Sequence, residues 1–297
     1  MVVAPWIDRT EYPFESKWHE VGKKRLHYVD EGNGDPVLFL HDSPGWSFSY
    51  RYMIKGLKSQ FRCIAPDFIG FGLSDKPVNW TYRPERDLEY LTDFIDSKRL
   101  DNITLVMHGM GGPIGMGYAI ANPSKIKHIV TINSWMWPLS EVDAVRKIDR
   151  TVNGIAGRFL YLSMNQAVRT MMRSIQDRTH FTKIAKQHYW HALHEPSERV
   201  GPYGYARALL GSSHYFQSLW DRREAVRDIP ALAIWGNEDR RLTLSSVERW
   251  RIIFPDLEVK RLAHTGPWVM EEKGPGILPI VEMFLNDTAY LPTASVV

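Results

Sequence analysis

A short apolar run that turns through several glycines into a helix constrains the fold of this chain more than any other feature. Residues 103–108 carry β-branched and other apolar side chains after a polar stretch, a pattern typical of a strand buried in a parallel sheet. Glycines follow at positions 109, 111, 112 and 115, and residues 116–120 then indicate a helix. The sequence therefore predicts a sharp strand–turn–helix unit at this point.

Such a unit is the setting in which many hydrolases expose a nucleophilic Ser, Cys or Asp on strained backbone between small neighbours. In that register the nucleophile position falls on Gly109 or, two residues later, on Gly111. Neither glycine has a side chain that can attack a substrate. We therefore expect the frame of a hydrolase site without its usual nucleophile, with open space at Gly109 that could admit substrate or a water molecule.

Strand and helix patterns alternate along most of the chain. Two antiparallel strands are predicted within residues 17–30, and a helix opened by Pro84 is predicted over residues 84–98. Apolar runs predict further strands at 36–40, 61–66, 126–133, 231–235 and 257–262. This alternation predicts an α/β protein with a parallel sheet and helices on both of its faces.

The alternation stops near residue 137 and resumes after residue 221. The intervening segment has a helical pattern and is rich in methionine, aromatic and basic residues. We predict that residues 137–221 form a helical cap. The cap would be inserted into a core formed by residues 1–136 and 222–297.

Charge and composition argue against several classes of function. The net charge of the 297 residues is only +3 and no dense block of Lys and Arg occurs, so neither nucleic acid nor a membrane is an expected partner. Cys63 is the only cysteine and the first residues form no apolar signal segment, which favours a cytoplasmic protein. We expect a monomer or homodimer that binds a small molecule without a cofactor or metal.

Six motifs occur in order along the chain, at residues 41–46, 65–77, 103–115, 133–138, 235–240 and 265–272. Together they resemble the α/β-hydrolase fold, and most closely its haloalkane dehalogenase branch. The resemblance covers nearly the whole chain outside the predicted cap. It implies a mostly parallel eight-stranded sheet with helices on both faces and an inserted helical cap.

The resemblance also assigns catalytic positions, and two of them have changed. The family uses a nucleophile, a histidine and an acid that orients the histidine. Gly109 stands at the nucleophile position and Pro267 at the histidine position, whereas Asp239 stands where the family often places its acid. His264 could enter the site through a shifted loop or could lie on the surface. Asp239 could equally cap a turn.

The positions that hold a leaving halide in this branch have changed as well. Met110 replaces a tryptophan that directly follows the nucleophile, and Ser43 occupies the usual position of an asparagine. A thioether is a poor hydrogen-bond donor. We therefore expect that the protein is not an ordinary haloalkane dehalogenase.

Asp42 is an additional carboxylate, because family members usually carry glycine at this position. Facing the cleft, it would suit a general base; facing outward, it would cap the helix predicted near Phe48. We take Asp42, His264 and Asp239 as candidate catalytic residues. The candidate substrate-binding residues are His41, Ser43, Gly109, Met110, Asn133, Trp135 and Trp268.

These observations favour an enzyme that acts on an apolar or aromatic small molecule under the cap by non-covalent acid–base chemistry. It would be a lyase, a cyclase or isomerase, or a hydrolase that activates water. Two alternatives stay open: a non-catalytic ligand-binding protein, and a hydrolase whose nucleophile has moved to Asp42 or Ser43. A dinucleotide enzyme is disfavoured, because Asn133 replaces the acidic residue expected at the end of the next strand.

Overall fold

The computed structural model describes residues 4–286; residues 1–3 and 287–297, which the predicted core includes, lie outside the described part. The described residues form one eight-stranded sheet. Its strands are β1 (Lys17–Val21), β2 (Lys24–Glu31), β3 (Pro36–Leu40), β4 (Arg62–Pro66), β5 (Ile103–Gly109), β6 (Ile126–Ser134), β7 (Ala231–Gly236) and β8 (Glu258–Leu262).

The strands lie in the order β1-β2-β4-β3-β5-β6-β7-β8. β2 runs antiparallel to both β1 and β4, and all other neighbouring strands are parallel. This confirms the prediction of a mostly parallel eight-stranded sheet. The carboxyl ends of β3, β5, β6 and β7 open on one edge, where parallel α/β sheets bind their ligands.

The α-helices of residues 4–286 cover both faces of this sheet, and six of them form most of the segment between β6 and β7. Within residues 4–286 they are α1 (Arg51–Leu57), α2 (Pro84–Ser97), α3 (Gly111–Ala121), α4 (Asp143–Asn153), α5 (Gly157–Leu162), α6 (Gln166–Ser174), α7 (Lys183–His191), α8 (Val200–Gly211), α9 (Ser213–Asp221), α10 (Leu244–Ile253), α11 (Val269–Lys273) and α12 (Leu278–Asn286). No helix among these residues combines the length and apolar character needed to cross a membrane.

Side chains of the central strands alternate between two apolar cores, one on each face of the sheet. Leu38 and Leu105 pack in a core that contains residues of α2 and α3. Their neighbours Val37 and Val106 point the other way, into a core that contains residues of α1 and α12. Because both faces are covered, all seven residues of β5 are buried, and the prediction of helices on both faces is confirmed.

The glycines after β5 allow α3 to lie very close to the neighbouring strands. A Cβ on Gly111 would lie 2.6 Å from the carbonyl carbon of Leu40, and a Cβ on Gly112 would lie 2.8 Å from the Trp135 carbonyl oxygen. Real Cβ atoms do not approach backbone so closely. These glycines therefore permit the packing of a helix against the sheet.

The segment between β6 and β7 is helical: α4 to α9 lie there, and residues 135–230 contain no strand. Helix α9 packs against α3, and the Tyr215 hydroxyl donates a hydrogen bond to the Pro113 carbonyl at 2.8 Å. The last helix of the predicted cap thus contacts a helix of the predicted core. The division into a core and a cap at 137–221 stays a prediction.

Candidate active site

A cavity of about 620 Å³ lies between the carboxyl ends of the strands and the helical segment that follows β6. Loops after the strands supply its floor: Asp42 and Ser43 after β3, Met110 after β5, Trp135 after β6 and residues 238–241 after β7. Helices α4, α6 and α8 line the other side with Ala144, Ile148, Ala167, Met171, Ala206 and Leu209, among others. A cavity of this size and lining suits a small, largely apolar molecule.

Asp42 lies on the floor of this cavity and is only 4% exposed. Its Oδ1 accepts a hydrogen bond from the Met110 backbone N–H at 2.9 Å, whereas its Oδ2 is buried and has no hydrogen-bond partner among residues 4–286. Asp42 does not cap the helical turn Ser47–Tyr50, which begins after Trp46 without a side-chain cap. A buried carboxylate oxygen without a partner is costly, and it is free to accept a proton or a hydrogen bond from a bound molecule.

The Asp42 carboxyl group fills the space in which a side chain at position 109 would lie. Gly109 ends β5 with a φ of +50°, and a Cβ built on it would lie 2.5 Å from the Asp42 Cβ and nearer still to its Cγ. The expectation of open space at Gly109 is therefore wrong, because the loop after β3 places a carboxyl group there. A carboxylate therefore lies at the turn between β5 and α3, although the residue at that turn, Gly109, does not supply it.

Arg241 places a guanidinium group beside two carboxylates. Its Nη2 is 3.8 Å from Asp42 Oδ2 and its Nε is 4.0 Å from Asp239 Oδ1. Both distances are too long for hydrogen bonds, and the side chain donates none to any other residue of the described part. The Arg241 side chain is 33% exposed and lines the cavity, so its N–H groups are available to a bound molecule.

Asp239 is held in place on both of its oxygens. Its Oδ1 accepts hydrogen bonds from the backbone N–H groups of residues 241 and 242 at 2.8 and 3.2 Å, and its Oδ2 accepts one from Asn133 Nδ2 at 3.1 Å. Asn133 Oδ1 in turn accepts from the Gly236 N–H at 2.8 Å, which joins the ends of β6 and β7. Asp239 thus caps the turn after β7, and its oxygens have less capacity left for a substrate proton.

Two buried histidines brace the loops of the site. His41 Nε2 accepts a hydrogen bond from the Phe68 N–H at 2.9 Å, so the ring proton is on Nδ1, which donates to the Asp42 carbonyl at 2.9 Å. His108 Nε2 donates to the Pro267 carbonyl at 2.8 Å. Burial lowers the pKa of both imidazoles. Both rings are therefore neutral near pH 7 and act as supports for the loops.

A buried carboxylate fixes the loop that carries Pro267. Glu272 accepts hydrogen bonds from the Gly266 N–H at 2.9 and 3.0 Å and from the N–H groups of residues 176 and 177 at 3.1 and 3.0 Å. These bonds tie the loop before α11 to the segment after α6. Pro267 is thereby held at the cavity wall beside Trp268.

A family model described as alpha/beta hydrolase fold matches residues 35–274 of this chain. Haloalkane dehalogenase 2 of Mycobacterium tuberculosis is 30% identical over 265 residues, which are 88% of this chain and 91% of that protein. The chain belongs to the α/β-hydrolase family. This family assignment, near the haloalkane dehalogenase branch, is the one that the sequence motifs predicted.

A second relative and a solved structure are similar to this chain over most of its length. A cis-3-alkyl-4-alkyloxetan-2-one decarboxylase of Shewanella oneidensis is 29% identical over 295 residues, covering 96% of this chain and 92% of that protein. The crystal structure of the haloalkane dehalogenase DatA from Agrobacterium tumefaciens superposes with a TM-score of 0.84 over 93% of this chain and 97% of that chain, at 20% identity. At that identity the likeness shows the shared fold.

His264, one of the predicted catalytic residues, does not line the main cavity. It is exposed, has a φ of +52°, and lines a separate depression with Gln176, Asp177 and Glu238. The structure therefore does not bring its ring together with Asp42. A catalytic role for His264 has no geometric support.

Four of the residues predicted to bind substrate line the cavity, namely Ser43, Met110, Trp135 and Trp268. The other three lie behind that surface and contact the residues that form it, namely His41, Gly109 and Asn133.

Arg241 is absent from the candidates predicted from the sequence, although its place two residues after Asp239 was a usable signal. Among residues 4–286, no three His, Cys, Asp or Glu side chains are grouped so that they could hold a metal ion.

A second buried carboxyl group supports the cavity wall. The Tyr205 hydroxyl donates a hydrogen bond to Asp87 Oδ2 at 2.8 Å, and Asp87 Oδ1 is buried without a partner in the described residues. Burial raises the pKa of Asp87 from its ordinary 3.8 to about 8. Since the folded protein binds this proton more tightly than the unfolded chain, stability falls as the pH rises from about 4 to about 8.

We expect Asp87→Asn to stabilise the protein in alkaline solution, because the amide cannot ionise and keeps an oxygen that can accept from Tyr205. The gain in Tm should be at least about 5 °C larger near pH 8.5 than near pH 5, because wild-type stability keeps falling between these two pH values whereas the amide does not titrate. Thermal unfolding followed by circular dichroism at both pH values measures this. The matched control is Asp96→Asn on the same helix, whose side chain is 58% exposed. An equal shift in Tm at both pH values would contradict the raised pKa of Asp87.

Proposed function

We propose that this protein is an enzyme that removes a proton from an apolar or aromatic small molecule bound in the cavity. Asp42 is the general base, and the reaction has no covalent intermediate. The observation that carries the proposal is the carboxyl group of Asp42, a residue of the cavity floor whose buried Oδ2 has no hydrogen-bond partner among residues 4–286. A carboxylate that is oriented at one oxygen and free at the other can accept a proton at a defined point.

The contacts of the base support this role. The Met110 N–H holds Oδ1 at 2.9 Å, so the orientation of the carboxylate is set before a substrate binds. Around it the cavity floor carries the indole rings of Trp135 and Trp268, which suit an apolar or aromatic substrate. The curated relatives reported above carry the names of enzymes, which favours an enzyme over a binding protein.

The reaction after proton removal depends on the substrate. Return of the proton to another atom gives an isomerisation, and loss of a group from the neighbouring atom gives an elimination, as in a lyase. Removal of the proton from a bound water molecule gives a hydrolysis. All three reactions use the same base and the same cavity.

The test is proton abstraction from 5-nitrobenzisoxazole, a small aromatic probe. The base takes the ring C–H proton, the N–O bond breaks, and a coloured cyanonitrophenolate forms. We expect saturable turnover by the wild-type protein that exceeds the rate with acetate at the same carboxylate concentration. The intact mass of the protein, measured in the same reaction, should stay unchanged because no bond to the enzyme forms.

Two outcomes would overturn the proposal. A rate no higher than that of free acetate would show that Asp42 is not a positioned base. Binding of the probe without turnover would identify a non-catalytic ligand-binding protein. Saturable turnover with unchanged protein mass supports the acid–base enzyme.

A second candidate is a hydrolase whose nucleophile is Asp42, because its carboxyl group occupies the space of a side chain at position 109. Such an enzyme would form an ester with an alkyl substrate. Pro267 stands at the family position of the histidine that would activate water, so the ester would persist. Ser43 is less suited to the same role, since no histidine in the described residues is hydrogen-bonded to its hydroxyl.

Incubation with 1-bromohexane separates the two candidates. The acid–base enzyme should release no halide above background and should keep its mass. The relocated nucleophile should release one halide per protein and gain one hexyl group, which peptide mapping would locate on Asp42. An adduct at that residue would replace the first candidate by the second.

A further inference from the structure

We infer that Arg241 binds the negative charge that forms on the substrate when Asp42 removes the proton, and that the substrate is a carbonyl compound with an acidic C–H next to the carbonyl group. The inference rests on the proposed function and extends it to a second catalytic residue and a substrate class. The supporting observation is that the Arg241 guanidinium lies beside Asp42, the base, and makes no hydrogen bond with the described residues.

The position of Arg241 is unusual for a structural arginine. Its guanidinium carries five N–H donors, yet it makes no hydrogen bond with any other residue in the described part of the chain. The buried Arg51 shows the contrast, because it donates two hydrogen bonds to Glu271 at 2.5 and 2.8 Å. The side chain of Arg241 is 33% exposed and lines the cavity, so it can contact a ligand.

The charges around Asp42, the base, suggest how Arg241 takes part in the reaction. Before the reaction, Asp42 carries the negative charge that faces Arg241 across 3.8 Å. After proton transfer Asp42 is neutral, and the negative charge lies on the substrate. Asp239, 4.0 Å from Arg241, keeps its charge throughout, so the reaction only moves the second negative charge from Asp42 to the substrate, where Arg241 can form direct hydrogen bonds. Interactions that strengthen as charge develops are the ones that accelerate a reaction.

The proton and electrons balance without a further reagent. Asp42 Oδ2 takes the proton from the carbon next to the carbonyl group. The electron pair of the broken C–H bond forms a carbon–carbon double bond, and the carbonyl π electrons move to the oxygen, giving an enolate. Arg241 donates hydrogen bonds to this oxygen until the proton returns to carbon or a neighbouring group leaves.

This arrangement selects the substrate class. A molecule whose proton loss leaves charge on carbon alone has no oxygen to offer the guanidinium. An aldehyde, ketone or ester offers one such oxygen at a short distance from the reacting carbon. The rest of the molecule is apolar or aromatic, as the indole rings of Trp135 and Trp268 require.

Binding of 4-nitrophenolate tests the inference, because this anion resembles an enolate and its ionised form is coloured. The probe is titrated into Asp42→Asn, in which the amide stands for the protonated base. We expect the phenolate to bind this variant more tightly than it binds the wild type, whose Asp42 charge repels it. Adding Arg241→Gln to Asp42→Asn should weaken phenolate binding by about 10–100-fold, the range for hydrogen bonds to a charged group.

Matched controls separate charge recognition from loss of the cavity. Arg251→Gln, on α10 and outside the cavity lining, removes an equal charge from the surface and should leave phenolate affinity within about twofold. The neutral 4-nitroanisole should bind all variants equally. Equal phenolate affinity with and without Arg241 would overturn the inference but not the role of Asp42, which benzisoxazole turnover tests separately. Failure of both probes to bind would overturn the cavity as a ligand site.

Discussion

The Asp42→Asn variant is expected to lose about 10²–10⁴-fold in kcat/KM for 5-nitrobenzisoxazole, the usual contribution of a positioned general base. The amide keeps the shape of the carboxyl group, and its oxygen can still accept the hydrogen bond from the Met110 N–H. Thermal stability should therefore change little. The measurement is the rate of formation of the coloured product, with the Tm of each variant determined alongside.

Asp239→Asn is the matched control for this experiment. Asp239 lines the same cavity, but backbone N–H groups and Asn133 occupy its oxygens. We expect its loss of turnover to be smaller than tenfold, which is about 1.4 kcal/mol. Near-native turnover in Asp42→Asn, or an equal loss in both variants, would refute Asp42 as the base.

A methyl group at position 109 is expected to destabilise the protein by about 2–5 kcal/mol, because two costs add. The φ of +50° is unfavourable for a side chain, at about 1–2 kcal/mol. In Gly109→Ala the new Cβ would also collide with the Asp42 carboxyl group, and forced overpacking costs a further 1–3 kcal/mol, roughly. Urea unfolding measures the sum.

Three companion variants separate the two costs. Gly22→Ala has a φ of +60° and nothing within 4 Å, so it should show the backbone cost alone, about 1–2 kcal/mol. Gly211→Ala has open space and no unusual φ, so it should be neutral or slightly stabilising. Adding Asp42→Gly to Gly109→Ala should recover about 2 kcal/mol by removing the collision. Additive losses in that double variant would show that the two side chains do not share one space.

The arrangement of strands and helices could be predicted because it depends on local patterns. Each central strand is a short apolar run, and the run at 103–108 leads directly into the glycines that let α3 approach the sheet. Six separate motifs agreed with one fold, so an error in one of them would not have changed the result. The edge strand β8 was also recognisable, although its residues are only partly buried.

The environment of Gly109 could not be predicted in the same way. Whether the space beside it is open depends on the direction of the Asp42 side chain, which comes from a loop far away in the sequence. The same limit applies to His264, which has a left-handed backbone conformation and lies outside the cavity. Loop directions arise from tertiary contacts, such as the hydrogen bonds of Glu272 to two segments. The position of the Arg241 side chain beside Asp42 depends on loop directions as well.

The relation between Asp42 and Gly109 shows that the position of a functional group in the sequence can differ from its position in space. Along the chain, the turn after β5 carries no carboxylate, because Gly109 stands there, and Asp42 belongs to the loop after β3. In three dimensions the Asp42 carboxyl group, carried by the loop after β3, occupies the space that a side chain at position 109 would fill. For such chains, a search by the three-dimensional arrangement of side chains will find a site that a search by sequence motif reports as absent.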